Sequence, residues 1–194
     1  MSRISTYPID SNVNVNDYII GTDSDNNSIT KNYTISSIVA LSPNGGMAYI
    51  NAAVAVDATT LTPIAEVDTF YSLEGTLVTS VSEVWAVGTG DDVNKIIYSG
   101  TASQVTNIMS TVNIKGTSSS TVKIALFKNT TEIAGTRQSI LINASNTYLA
   151  SVCLQTINTV ATDDIISVKI MNTSNTDSIT AAHFNLSATL VWTE

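Results

Sequence analysis

The residues that most often carry chemistry are scarce in this chain, which has one histidine, His183, and one cysteine, Cys153. A Ser/His/Asp or Cys/His relay would have to run through His183, and no nucleophile-elbow pattern accompanies it. His183 alternates with Phe184 and Leu186, as a strand residue on the face opposite them does. Together, Cys153 and His183 fall short of the four ligands, or three and a water, that zinc takes. Cys153 lies in the alternating run Tyr148–Leu154 and reads as a small strand residue. As the sole cysteine it also rules out a framework of intramolecular disulfides. Asp23-Ser-Asp25-Asn-Asn27 imitates the opening of a calcium loop, but position six is Ser28 where glycine is required and position twelve is Thr34 where glutamate is required. Asp91-Asp92 and Asp163-Asp164 are acidic turn pairs whose carboxylates could meet calcium or a sugar, with solvated turns as the default reading. Glycoside hydrolysis needs two carboxylates about 5 to 10 Å apart, and neither pair lies in an aromatic-rich stretch. No glycine-rich phosphate loop occurs. The expectation is a chain that is not an enzyme, with no cofactor and no metal.

The elements that carry these residues are strands. Val122, Ile124 and Leu126 alternate with Lys123 and Ala125, and Ile166, Val168 and Ile170 alternate with Ser167 and Lys169. Phe184, Leu186, Ala188, Leu190 and Trp192 alternate with His183, Asn185, Ser187 and Thr189. A period of two in runs of this length marks strands with one buried face. Further strands are expected at Ala48–Val56, over the run Phe70–Val87, part of which fits helical spacing but whose Val and Thr favour strand, and at Val93–Tyr98, Ile108–Ile114, Ser139–Ile142 and Tyr148–Leu154. Turns are expected at Thr59–Pro63, Gly88–Asp92 and Lys128–Thr131. About eight to ten strands from Ala48 onward suit an all-β, antiparallel two-sheet jelly-roll sandwich better than a seven-stranded immunoglobulin fold. Trp85, Phe127, Phe184 and Trp192 read as core or subunit-interface residues.

Residues 1–46 have a different character. A polar run, Asp10–Asp17, leads into Tyr18-Ile-Ile-Gly-Thr22, and after the loop Asp23–Ser28 the chain extends again over Ile29–Thr34. Strand, polar turn and strand predict a hairpin. Thr34 could then cap a short helix with Ile35, Ile38 and Val39 on one face, ended by Ser42-Pro-Asn-Gly-Gly46 as a linker. A segment this small buries too little to fold alone and needs a partner surface or copies of itself. The expected organisation is a short extended attachment segment, 1–46, followed by a jelly-roll head, 47–194.

Charged residues are 12% of the chain, about half the usual share, and Ser, Thr and Asn supply the solubility. The net charge of −8 argues against nucleic acid and against an anionic membrane surface. In sequence, the only lysines near one another are Lys123 and Lys128, which flank a strand. Met1–Pro8 lacks the apolar core of a signal peptide, and no window approaches the roughly 18 apolar residues of a membrane span. The chain is therefore expected to be made and assembled in a cytoplasm, without membrane insertion.

Two parts of the chain resemble known proteins. From about Met47, the strand pattern resembles the C1q/TNF-like jelly-roll heads of trimeric phage and viral fibres. The matching residues are Val112-Asn-Ile-Lys115, Val122-Lys-Ile-Ala-Leu-Phe-Lys-Asn129, Val160–Ile170 and the final strand from Phe184 to Trp192. Thr130 and Asp163 stand where such heads commonly have glycine, so those turns are expected to differ in type. Asn16-Asp-Tyr-Ile-Ile-Gly-Thr-Asp23 with Thr30-Lys-Asn-Tyr-Thr34 resembles a short N-terminal motif of phage virion proteins. That resemblance implies virion attachment through Asp17, Ile19, Ile20, Gly21, Thr22, Asp23, Lys31, Asn32 and Tyr33.

The reading that joins these parts is a phage virion component, a homotrimeric fibre, spike or capsid-decoration subunit. It would contact other virion proteins through residues 1–46 and could meet a host-surface glycan or receptor through its head. The alternative is a lectin-like carbohydrate-binding β-sandwich, in which Trp85, Tyr98 or Tyr148 would stack on a sugar beside Asp91-Asp92 or Asp163-Asp164.

Overall fold

The computed structural model describes residues 18–23, 29–34, 49–53, 60–79, 84–143 and 149–191, with backbone alone for 18–23, 29–34, 49–53 and 79. The expected helix after Thr34, the Ser42–Gly46 linker, Asp17, Tyr148 and Trp192 lie outside the described residues. The chain divides into two compact units, Met1–Gly46 and Met47–Glu194. In the first unit, β1 (Tyr18–Asp23) and β2 (Ile29–Thr34) form an antiparallel ribbon.

The second unit opens with short strands: β3 (Tyr49–Ala53), β4 (Leu61–Thr62), β5 (Tyr71–Ser72), β6 (Val78–Thr79) and β7 (Trp85–Val87). Longer ones follow: β8 (Lys95–Tyr98), β9 (Gln104–Gly116), β10 (Ser120–Lys128), the two-residue β11 (Thr131–Glu132), β12 (Gln138–Ile142), β13 (Ala150–Val160), β14 (Ile165–Asn172) and β15 (Ile179–Leu190). They make two antiparallel sheets. One runs β13-β9-β15-β3-β6 with β4 also on β15, and is called the β9 sheet below. The other, the β10 sheet, runs β11-β10-β14-β8-β7, with β12 also on β10 and β5 on β14. From β8 to β10, and again from β13 to β15, each strand lies in the opposite sheet from its predecessor. As a result β14 inserts between β10 and β8, and β15 between β9 and β3. This double wrapping is the jelly roll expected from the strand count.

The alternation read in the sequence builds the layer between the sheets. Val122, Ile124 and Leu126 of β10 and Ile166, Val168 and Ile170 of β14 face Ile108, Val112 and Ile114 of β9 and Phe184, Leu186 and Ala188 of β15. All are buried, and each large aliphatic or aromatic one contributes about 1.5 to 3 kcal/mol relative to exposure. Trp85 and Tyr98 close one part of this core edge-to-face, with ring centroids 5.1 Å apart. Tyr98 donates its hydroxyl to the Ala102 carbonyl at 2.8 Å. A side chain at Gly100 would overlap the Tyr98 ring, so only glycine lets the backbone pass there.

Three local expectations are corrected. Leu61–Thr62, expected as turn, pairs with Ile179–Thr180, and the buried Thr62 hydroxyl accepts the Glu74 N–H at 2.9 Å. Phe70–Val87 is not one strand. Its β5 joins β14 in one sheet and its β6 joins β3 in the other, so the chain leaves strand geometry between those two, and β7 pairs with β8. The strand expected at Tyr148–Leu154 runs on to Val160. There Thr156 and Asn158 take half-buried positions that give no apolar signal.

Candidate interaction surfaces

The hairpin of the first unit gathers the residues that the virion-protein resemblance singled out. Ile19 pairs with Tyr33, Ile20 with Asn32, Gly21 with Lys31, Thr22 with Thr30 and Asp23 with Ile29. One antiparallel register thus aligns the two halves of the motif, with Asp17 just outside the described residues.

The residues considered for chemistry are not brought together. Cys153 pairs with Thr111 and His183 with Asn113, so they stand on either side of β9, at least two interstrand spacings or about 10 Å apart. Among the described residues, no group of three or more His, Cys, Asp or Glu could hold a metal ion. The acidic pairs serve the fold. Asp91 and Asp92 form a 3-10 turn, and Asp92 forms an ion pair with Lys95. Asp164 accepts the Ala161 N–H at 2.9 Å and the Asn129 amide at 2.8 Å, with the Lys128 ammonium 3.4 Å away. Burial alone would raise this carboxyl, but those donors and the nearby cation outweigh it and hold it below the usual range. Trp85 and Tyr98, the rings considered for sugar stacking, are both buried in the core. Tyr98 does lie beside the Asp163-Asp164 turn, but through its backbone: its carbonyl accepts from Asp163 and its N–H donates to Asp164.

Two broad faces remain, and they contrast. The outer face of the β9 sheet is a grid of neutral polar residues. Across β13, β9 and β15 its rows read Ser151–Asn113–His183, Cys153–Thr111–Asn185, Gln155–Met109–Ser187 and Ile157–Asn107–Thr189. Ser151 donates to the Asn113 amide oxygen at 2.5 Å, Gln155 to that of Asn107 at 3.2 Å, and the Asn185 amide oxygen accepts the Thr111 N–H at 2.7 Å. Lys115 is the sole Asp, Glu, Lys or Arg in these three strands. Two apolar side chains stand out of the grid, Ile157 at 65% and Met109 at 37% exposure.

The outer face of the β10 sheet holds cations that sequence proximity did not group. Lys95 of β8 lies opposite Ser167, Lys169 of β14 opposite Ala125, and Lys123 of β10 opposite Met171. Each lysine is therefore displaced by two residues along the sheet from the last, in a straight diagonal. The Lys169 ammonium sits 4.5 Å from the centre of the Phe127 ring, which meets Phe70 edge-to-face at 5.0 Å. On the other side of the pair, the Arg137 guanidinium lies 5.3 Å over Phe70 and is bridged to Glu132. Burial, with the Lys95 charge added to it, lowers the pKa of Lys169. Only strand pairing reveals this row, since its members are 28 and 46 residues apart.

No family model matches the chain, and no curated protein matches it in sequence. Among solved structures, the chain is similar to the PRD1 vertex protein P5, at 13% identity and a TM-score of 0.45 over 76% of this chain and 100% of that one. It is also similar to murine APRIL in its crystal structure at pH 8.0, at 11% identity and a TM-score of 0.48 over 75% of this chain and 100% of that one. A third likeness is to the globular domain of the zebrafish complement 1qA protein, at 5% identity and a TM-score of 0.46 over 77% of this chain and 100% of that one.

Proposed function

We propose that the chain is a structural component of a phage virion, a homotrimeric fibre, spike or capsid-decoration subunit without catalytic activity. Its hairpin residues, 17–33, dock on a neighbouring virion protein, and its jelly-roll unit associates with two further copies. The observation that carries this reading is the joining of a motif-bearing two-stranded ribbon to a sandwich with a charge-poor outer face. A lone two-stranded ribbon is marginal in water, so it gains by seating on a partner. Depletion of charge is the compositional mark of an interface core, and the outer face of the β9 sheet has it. Strand β13, at the edge of that sheet, has neither a charge nor a proline to discourage contact. The edge of one copy set on the neutral face of the next is a heterologous contact, and three such contacts close into a ring. Assembly in the host cytoplasm and residence in the virion follow from this reading, with contact to a host-surface glycan or receptor as a further part of it.

Light scattering after size exclusion tests it. The intact chain should elute at three chain masses. A variant lacking residues 17–33 should keep that mass but be lost from purified particles, by immunodetection. A monomeric intact chain, or particles that retain the deletion variant at full level, would overturn the proposal.

A further inference from the structure

We propose that the outer face of the β10 sheet binds a linear anionic polysaccharide, one carrying carboxylate or sulfate groups, along the diagonal row Lys95–Lys169–Lys123. This inference does not depend on the virion reading. The three lysines occupy successive strands, β8, β14 and β10, each two residues on from its neighbour. Diagonal neighbours on one sheet face lie about 7 to 8 Å apart, so the row has an even step and spans about 15 Å. Like charges arranged this way repel, and the fold compensates them only in part. Asp92 is paired with Lys95 and Glu132 with Arg137. Among the described residues, no carboxylate lies within ion-pair distance of Lys123 or Lys169. The Lys169 ammonium is instead supported by the Phe127 ring. Between the lysines the outward-facing Ala125, Ser167 and Met171 are buried, so the partly exposed lysines are what this part of the face presents to solvent.

The whole-molecule charge makes this row unusual. The protein has eight basic and sixteen acidic residues, yet Lys95, Lys123, Lys128 and Lys169 fall on β8, β10 and β14, with Arg137 beside them. The spacing favours a sugar polymer over nucleic acid. One cation per roughly 8 Å suits a polysaccharide charged at every one or two sugars. Duplex DNA carries a charge about every 1.7 Å, a density that three cations about 8 Å apart do not match.

The test uses the full chain with heparin as the sulfated probe, colominic acid as the carboxylated one, neutral dextran as control and oligo-dT as competitor. Calorimetry should show binding to one or both anionic polysaccharides that weakens with added salt, and none to dextran. Lys123→Gln with Lys169→Gln should lower the affinity on the order of tenfold. Lys123→Gln alone keeps the Lys169–Phe127 contact and should show a smaller loss in the same direction. Lys115→Gln, on the other sheet, should bind like the parent. Absence of binding by the parent, unchanged affinity in the lysine variants that circular dichroism shows to be folded, or equal affinity for oligo-dT would each overturn the proposal.

Discussion

Asp164 illustrates, at the scale of a residue, how an acidic turn can resemble a ligand site and instead be an internal fastening. Its carboxylate is shared among the Ala161 N–H, the Asn129 amide and the Lys128 ammonium, which leaves little capacity for a metal or a sugar hydroxyl. These partners hold its folded pKa below the unfolded value of about 3.9, against the upward pull of burial. A depressed carboxyl contributes stability that is present above the unfolded pKa and is lost as pH falls through the folded one. Asp164→Asn should therefore melt below the parent at pH 7, and the two should converge as the pH drops from about 4 toward 2. Melting curves read by circular dichroism over that range check this. A gap that stays constant with pH would show that the carboxylate charge contributes nothing.

At the scale of elements, the same region shows which parts of the fold the sequence made legible. The Lys128–Thr131 turn was readable because Asn and Thr between two strands are turn chemistry, and Lys128 does pair with Thr131. Its left-handed residue is Asn129, at φ 56°, so Thr130 needs no glycine-like conformation. Asp163 takes φ 67° itself, a left-handed conformation that glycine adopts without strain. The two left-handed residues differ in what their side chains do. Asn129 bridges the turns, donating to Asp164 and accepting the Ile165 N–H at 2.9 Å, whereas Asp163 is exposed. Asn129→Gly should thus cost about 1 kcal/mol despite the easier φ. Asp163→Gly should stay within about 0.5 kcal/mol of the parent, because relief of the left-handed conformation offsets the added freedom of the unfolded chain. Urea denaturation compares them, and the reverse order would refute the distinction. Alternation within one strand was legible where the inward residues are apolar, as Val122–Leu126 and Ile166–Ile170 show. What stayed hidden is the polar far end of β13, which lacks that signal, and what depends on pairing across strands: the break between β5 and β6 and the diagonal of lysines.

Across the whole molecule, charge is sorted between the two sheets. The long strands of the β9 sheet hold Lys115 alone, while four lysines lie on β8, β10 and β14. Sandwich stability does not require this sorting, because the outer face of a sheet is solvated whichever polar residues it presents. An outer face with Lys115 as its sole Asp, Glu, Lys or Arg on the long strands, and bearing an exposed isoleucine, is what self-association would need. Ile157 is the sharpest probe of that role, since it stands 65% exposed on edge strand β13, outside the core. Covering it would contribute about 2 kcal/mol per protomer by apolar burial. A lysine there would remove that gain and place an unpaired ammonium in the contact. Ile157→Lys should accordingly shift the intact chain from trimer toward monomer in light scattering at micromolar concentration. The monomer itself should keep the parent's circular dichroism spectrum, because Ile157 lies outside the buried core cluster. Lys123→Glu on the opposite sheet should leave the mass unchanged. If Ile157→Lys stays trimeric and Lys123→Glu dissociates, assembly runs through the β10 sheet, and the neutral face must be neutral for another reason.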